Sequence, residues 1–320
     1  MVTPADPLRE LRALLDEGRY RDVLVRWGET DGAAADPSLA LGLATAAARL
    51  GELERAERLA LQARERYRQR ADDDGRLRCS NLLGAVAFER GAVEKAALEW
   101  AAALEAARAA GDTLMVARVS NNLSSARHLR GEVVEARSLF REALVAYQRL
   151  AARFAAESAH NLGLTYREAD ELDLAGRRLK VRHAELVAEP GLLALTLTGR
   201  AETRVALGQV DLANADLDRA VALASRIDDR IGVAEAGRVR AALRLAIGDP
   251  AGAAAEAEAA RETGAVLGSS LLQAEAAALL ATALASIGQT GAATARREEA
   301  RALFTRMGAT AHLARLDRQA

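Results

Sequence analysis

Residues 81–103 read NLLGAVAFERGAVEKAALEWAAA, and residues 121–143 read NNLSSARHLRGEVVEARSLFREA. Laid over one another, they align Asn81 with Asn121, Leu83 with Leu123, Gly91 with Gly131, Ala96 with Ala136 and Trp100 with Phe140. Each stretch is an amphipathic helix, a glycine turn and a second amphipathic helix. Working outward, the turn residue recurs as Gly18, Gly51, Gly91, Gly131, Gly208, Gly248 and Gly288, with Asp170 in the remaining place. From Gly51 the steps are 40, 40, 39, 38, 40 and 40 residues. A fixed period of this length marks a stacked repeat, an architecture that offers partners a long surface rather than one enclosed pocket.

Small residues keep fixed offsets from the turn. Five positions after it stand Ala56, Ala96, Ala136, Ala175, Ala213, Ala253 and Ala293, with Val23 in the first unit. Twelve after it stand Ala63, Ala103, Ala143, Ala220, Ala260 and Ala300. Seven before it come Ala44, Gly84, Ser124, Gly163, Ala201, Ala241 and Ala281. A bulky slot nine after the turn holds Trp27, Trp100, Phe140, Leu179 and Leu217. Spacings of 4 and 3 put these second-helix positions on one buried stripe, and the small ones let two helices approach closely.

This grammar resembles the tetratricopeptide repeat, most clearly in Asn161-Leu162-Gly163 with Tyr166 and Ala175 and in the two aligned stretches. That repeat usually runs to about 34 residues. The longer step here looks like the variety with paired asparagines found in kinesin light chains and polarity scaffolds. The resemblance spans roughly Pro7 to Met307 and implies an all-α, right-handed superhelical solenoid of about eight helical hairpins. We read residues 1–36 as an N-terminal capping hairpin, 37–308 as the array and 309–320 as a C-terminal cap. The array's units run over about 37–73, 74–112, 113–152, 153–190, 191–229, 230–268 and 269–308. Arg200 and Arg240 stand where Leu83, Leu123 and Leu162 stand elsewhere, so either those helices rotate or the arginine stems reach out of a half-buried site. Ala257 and Arg297 take the bulky slot in the last units. Glu189-Pro190-Gly191 breaks the chain between the fifth and sixth units and is the expected place for a bend.

In tetratricopeptide arrays the first helix of each unit lines the groove, which here implies the positions 13, 10, 6 and 3 before the turn. The candidate peptide-binding residues are Arg78, Asn81, Arg118, Asn121, Ser125, His128, His160 and Arg167. An asparagine can donate to and accept from a peptide main chain, and paired arginines can grip a carboxylate. Polar residues must cover such a groove in any case. The same spacing reads Glu202, Glu235, Arg238 and Glu275 in the later units.

Composition narrows the function. The 44 basic and 45 acidic residues leave a net charge of -1, which argues against a nucleic-acid stripe. Cys79 is the single cysteine, so no disulfide framework or thiolate cluster is expected, and its setting suits packing rather than nucleophilic chemistry. No phosphate-cradling glycine loop, nucleophile elbow or zinc-protease motif occurs, and His128, His160, His183 and His312 lack ligand spacing. Asp72-Asp73-Asp74 reads as a linker run, and the sequon at Asn122 lies inside a helix. Met1 to Asp6 shows no signal-peptide pattern, and no membrane span is evident. The expectation is a non-enzymatic, cofactor-free cytoplasmic adaptor that binds an extended peptide or partner tail. The alternative is a peptide- or ligand-sensing regulatory module acting on a separate effector, as in bacterial peptide-pheromone receptors. Self-association through the ends of the array is a further expectation.

Overall fold

The computed structural model describes residues 6–28, 36–150 and 190–318. The positions Gly163, Asp170, Ala175, Leu179 and His183 named above lie outside them. Among the described residues there are helices and no strands. The first stretch holds α1 (Pro7–Asp16) and α2 (Tyr20–Trp27). The second holds α3 (Pro37–Arg49), α4 (Leu53–Gln69), α5 (Asp73–Glu89), α6 (Val93–Ala110), α7 (Thr113–Leu129) and α8 (Val133–Leu150). The third begins with α9 (Pro190–Ala206), α10 (Val210–Arg226), α11 (Arg230–Ala246) and α12 (Pro250–Leu267). It ends with α13 (Ser270–Ser286), α14 (Thr290–Met307) and α15 (Thr310–Arg318). The described residues form a helical-hairpin solenoid, as the period predicts.

The turn ladder works through backbone conformation. Gly18, Gly51, Gly91, Gly131, Gly208, Gly248 and Gly288 all have φ between 70° and 79°, a left-handed region in which a Cβ is costly. A second ladder ends the second helices at Ala71, Gly111, Asp228, Gly268 and Gly308, again with positive φ. Ala71 and Asp228 hide it from a search for glycines.

Aspartate starts many of the helices. Asp36, Asp72, Asp112 and Asp229 cap α3, α5, α7 and α11, each accepting backbone N–H bonds from the first turn. Such a cap is worth about 0.5–2 kcal/mol. The Asp72–Asp74 run is therefore a helix start rather than a linker: Asp72 Oδ1 accepts from the Gly75 N–H at 2.8 Å, and Asp73 and Asp74 lie in the first turn. Pro190 opens α9.

The small-residue offsets are the helix contacts. Ala56, Ala96, Ala136, Ala213 and Ala253 have no exposed surface. A Cβ built on Gly84 would meet the Trp100 indole nitrogen at 2.4 Å, so glycine is what lets that ring lie against α5. Trp27, Trp100, Phe140 and Leu217 are buried in their shared slot. Arg200 settles its unusual position by pairing: with Arg204 it binds Asp216, whose exposure is only 4%. Removing one member of such a buried set leaves charge uncompensated. Arg240, less buried, binds Asp218 at 2.9 Å.

Successive units approach through their first helices: α3 meets α5, α5 meets α7, α9 meets α11 and α11 meets α13. These helices form the inner layer of the curve.

The array also closes on itself. Arg21 Nε donates to Asp228 at 2.9 Å. The Ser269 hydroxyl donates to Glu89 at 2.9 Å, and that of Ser270 to the Arg90 carbonyl at 3.0 Å. Thr310 makes the corresponding bond to the Arg130 carbonyl. The last three bonds each join residues 180 positions apart, or four and a half repeats. Ile227 packs within the core of the first units. Phe304 and Met307 share one core with Val93, Trp100 and Leu123, and α15 rests on α7.

Candidate binding groove

In the first half of the array, the inner face is polar and locally ordered. Asn81 is half-buried, and Trp100 and Asn122 fix it: its carbonyl accepts the Trp100 indole N–H at 3.1 Å, and its Oδ1 accepts from Asn122 Nδ2 at 2.9 Å. This amide–amide bond links α5 to α7. Arg78 is exposed and pairs with Asp74 one turn away at 2.8 Å, and Arg118 is exposed. Ser125 and His128 are half-buried. Asn121 is 2% exposed, and its carbonyl accepts the hydroxyls of Ser124 at 2.5 Å and Ser125 at 3.4 Å. The asparagine that meets Asn81 is thus Asn122, one residue along. His160 and Arg167 lie outside the described residues. Phe88 lies against Trp100 with ring centroids 5.6 Å apart.

The inner face of the second half is ionic. Arg238 on α11 reaches Glu202 on α9 at 3.2 Å, Glu235 on its own helix at 2.9 Å and Glu275 on α13 at 3.2 Å. His312 Nε2 lies 2.9 Å from Glu275, with its ring 5.0 Å from that of Phe304. The groove spacing marks the first four of these residues. Nothing local marks Glu89 on α5, which accepts from Ser269 and feels the Glu275 charge. Ser269 stands at the N-cap of α13, yet its side chain makes no cap bond and serves Glu89 instead.

Titration reflects this crowding. Burial pushes the Glu235 carboxyl up to about 7 against the pull of Arg238, with the Glu275 and Glu89 charges adding to the rise. Burial acts the same way on Glu275, but Arg238 and then His312 overcome it and hold that carboxyl well below the usual range. Glu89 is raised by burial, despite the Ser269 hydrogen bond. The network therefore holds three carboxylates around one arginine, and one of them changes charge near neutral pH. Its chemistry suits a cationic group.

Cys79 is fully buried, and burial pushes its thiol up to about 12, far from a reactive thiolate. Among the described residues no group of His, Cys, Asp or Glu is arranged to hold a metal ion. Nor is any helix among them long and apolar enough to cross a membrane.

Comparison with solved structures gives the class that the fold defines. A Rap protein complexed with competence and sporulation factor superposes with a TM-score of 0.74 at 14% identity, over 94% of this chain and 85% of that one. The Rap conjugation gene regulator of plasmid pLS20, in complex with the Phr* peptide, gives 0.66 at 14% identity, over 89% and 77%. The apo quorum sensor NprR from B. thuringiensis gives 0.60 at 12% identity, over 92% and 86%. At this identity the likeness is one of fold: a tetratricopeptide-type solenoid. No protein-family model matches the sequence, and no curated protein matches it.

Proposed function

We propose that this chain is a non-enzymatic adaptor that binds an extended peptide or a partner's tail along its inner face, in the cytoplasm and without a cofactor. The observation that carries this reading is the ordered polar lining of stacked first helices, where Asn81 and Asn122 are joined across two units and Arg238 is held among three carboxylates. Side chains fixed before binding lose little entropy when a ligand arrives. Arg78 and Arg118 would meet an acidic group or a C-terminus, Asn81, Ser125 and His128 the main chain around it, and His160 and Arg167 the next unit's share, while the buried Asn121 would support this face from behind. Glu202, Glu235 and Glu275 would meet a basic one. The Rap and pLS20 structures support the reading as proteins of this fold, one solved with competence and sporulation factor and the other with the Phr* peptide.

A regulatory role on a separate effector protein is the second reading, and the closure of the array favours it. A ligand in the groove lies between the two halves that Ser269 and Glu89 join, so its binding energy can act on that contact.

A displayed library of extended peptides, selected on the full chain, tests the proposal. Selected sequences should bind wild type and lose about tenfold or more in affinity, about 1.4 kcal/mol, to Asn81→Ala with Arg118→Ala or to Glu202→Gln with Glu275→Gln. Both double variants should keep the helical signal. Peptides that bind all three proteins alike would remove the groove from the function.

A further inference from the structure

The described hairpin turns lie along one edge in each half of the solenoid, and the two halves are finished differently. In the first half a Cβ on Gly18 would meet Ile227 at 2.9 Å, one on Gly51 would meet Leu267 at 3.1 Å, and one on Gly91 would meet Met307 and Ser270 at 2.9 Å. On Gly131 it would meet Thr310 at 2.7 Å. At Gly208, Gly248 and Gly288 nothing among the described residues lies within 4 Å. The residue before each of these three glycines is aliphatic and exposed: Leu207 at 41%, Ile247 at 52% and Ile287 at 38%. The turn edge that is an interface in units one to four is thus uncovered and apolar in units six to eight.

We infer that this bare edge is the interface of a homodimer, packed against the same edge of a second copy. The internal interface shows what kind of surface covers such an edge, namely an aliphatic row at a matching spacing. The chain's own covering row is already used, since Ile227 and Met307 are buried against the first half. What a second copy can offer is its own Leu207, Ile247 and Ile287. Arranged antiparallel about a two-fold axis, the row fits itself: Ile247 meets Ile247, and Leu207 meets Ile287. Two-fold contacts of this self-complementary kind are the commonest in homo-oligomers. The charges allow it. Arg244 binds Asp249 at 2.6 Å beside the axis position, and unit eight presents the neutral Ser286 and Gln289 to unit six. An edge three hairpins long belongs at the small end of stable interfaces, with dissociation in the micromolar range.

Sedimentation velocity of the full chain from about 1 to 200 μM tests this across that affinity range. The mass should rise to twice the monomer and stop there. Ile247→Asp should hold the protein monomeric throughout, with unchanged circular dichroism and melting point. Val266→Asp, equally apolar in origin and 73% exposed on the opposite edge, should leave the dimer intact. Under mild oxidation Ile247→Cys should form a disulfide-linked dimer with itself, and Val266→Cys should not. A wild type that stays monomeric over the whole range would overturn the inference. So would a dimer that survives Ile247→Asp, or open-ended growth through the ends of the array.

Discussion

The two halves of the array share one repeat and one kind of turn, yet their turn edges do opposite things. Units one to four bury theirs under Ile227, Leu267, Met307 and Thr310, whereas units six to eight leave theirs open. Inside the curve the contrast continues: a hydrogen bond between side-chain amides joins Asn81 to Asn122 in the first half, and three carboxylates crowd Arg238 in the second. A solenoid is usually approximated as a sum of nearest-neighbour interfaces. Here contacts 180 residues apart add a long-range term, and it falls on one half's edge only.

The largest expected effect separates the two edges. Met307 is 5% exposed within the shared core, so Met307→Ala should cost about 2–5 kcal/mol. Ile287→Ala, on the bare edge, should stay within about 0.5 kcal/mol of wild type when unfolding is measured at submicromolar concentration, where the chain is monomeric. Equal losses in urea denaturation would mean that the halves are not distinguished by closure.

What sequence can show of this architecture depends on how local the cause is. The turn ladder is legible because a left-handed turn asks for glycine wherever it falls. The second ladder is not, because Ala71 and Asp228 adopt the same conformation without being glycine. The buried alanines and the aromatic slot are legible from helical spacing. The fate of Arg200 is not, since its partner Asp216 lies on the next helix and only packing brings the two together. Groove spacing locates Glu202, Glu235, Arg238 and Glu275, but Glu89 comes near them only because the array closes. Asn121 and Asn122 are adjacent and chemically identical, and only packing decides that the first is buried and the second meets Asn81.

The next effect uses the turns themselves. Gly91→Ala and Gly248→Ala face the same backbone cost of about 1–2 kcal/mol, because their φ values are 77° and 79°. Only Gly91 adds a collision, with Met307 and Ser270 at 2.9 Å. Its variant should be less stable by roughly another 1 kcal/mol, the low end for overpacking because the methionine can move. Thermal unfolding of the pair checks this, and identical midpoints would show that the contact gives way freely.

The acidic half should also carry its own pH dependence. Glu235 is raised in the folded state, so between about pH 4.5 and 7 the folded chain holds more proton there than the unfolded one. That contribution to stability is full below the unfolded value and is lost as pH rises through about 7. Glu275 runs the other way, losing its contribution as pH falls below the ordinary carboxylate range. Glu235→Gln should therefore match wild type near pH 5 and be more stable near pH 8, by on the order of 1 kcal/mol after allowing for partial solvent access. A difference between the two that does not change from pH 5 to 8 would place the titration elsewhere.

The smallest effect belongs to the outermost rung of the closure. Arg21 and Asp228 meet at 2.9 Å, but their side chains are 67% and 53% exposed, and such pairs contribute about 0–1 kcal/mol. Asp228 also holds φ of 56°, a conformation that asparagine tolerates as well, so Asp228→Asn removes the charge without asking the turn to change. A double-mutant cycle of Arg21→Ala and Asp228→Asn should give a coupling of a few tenths of a kcal/mol at low salt. It should vanish near 1 M salt, where screening acts within about 3 Å. If closure rests on the apolar row, losing this pair should leave hydrogen exchange at the amide of Gly91 unchanged. A coupling well above about 1 kcal/mol, or one indifferent to salt, would instead show that charge helps to hold the two halves together.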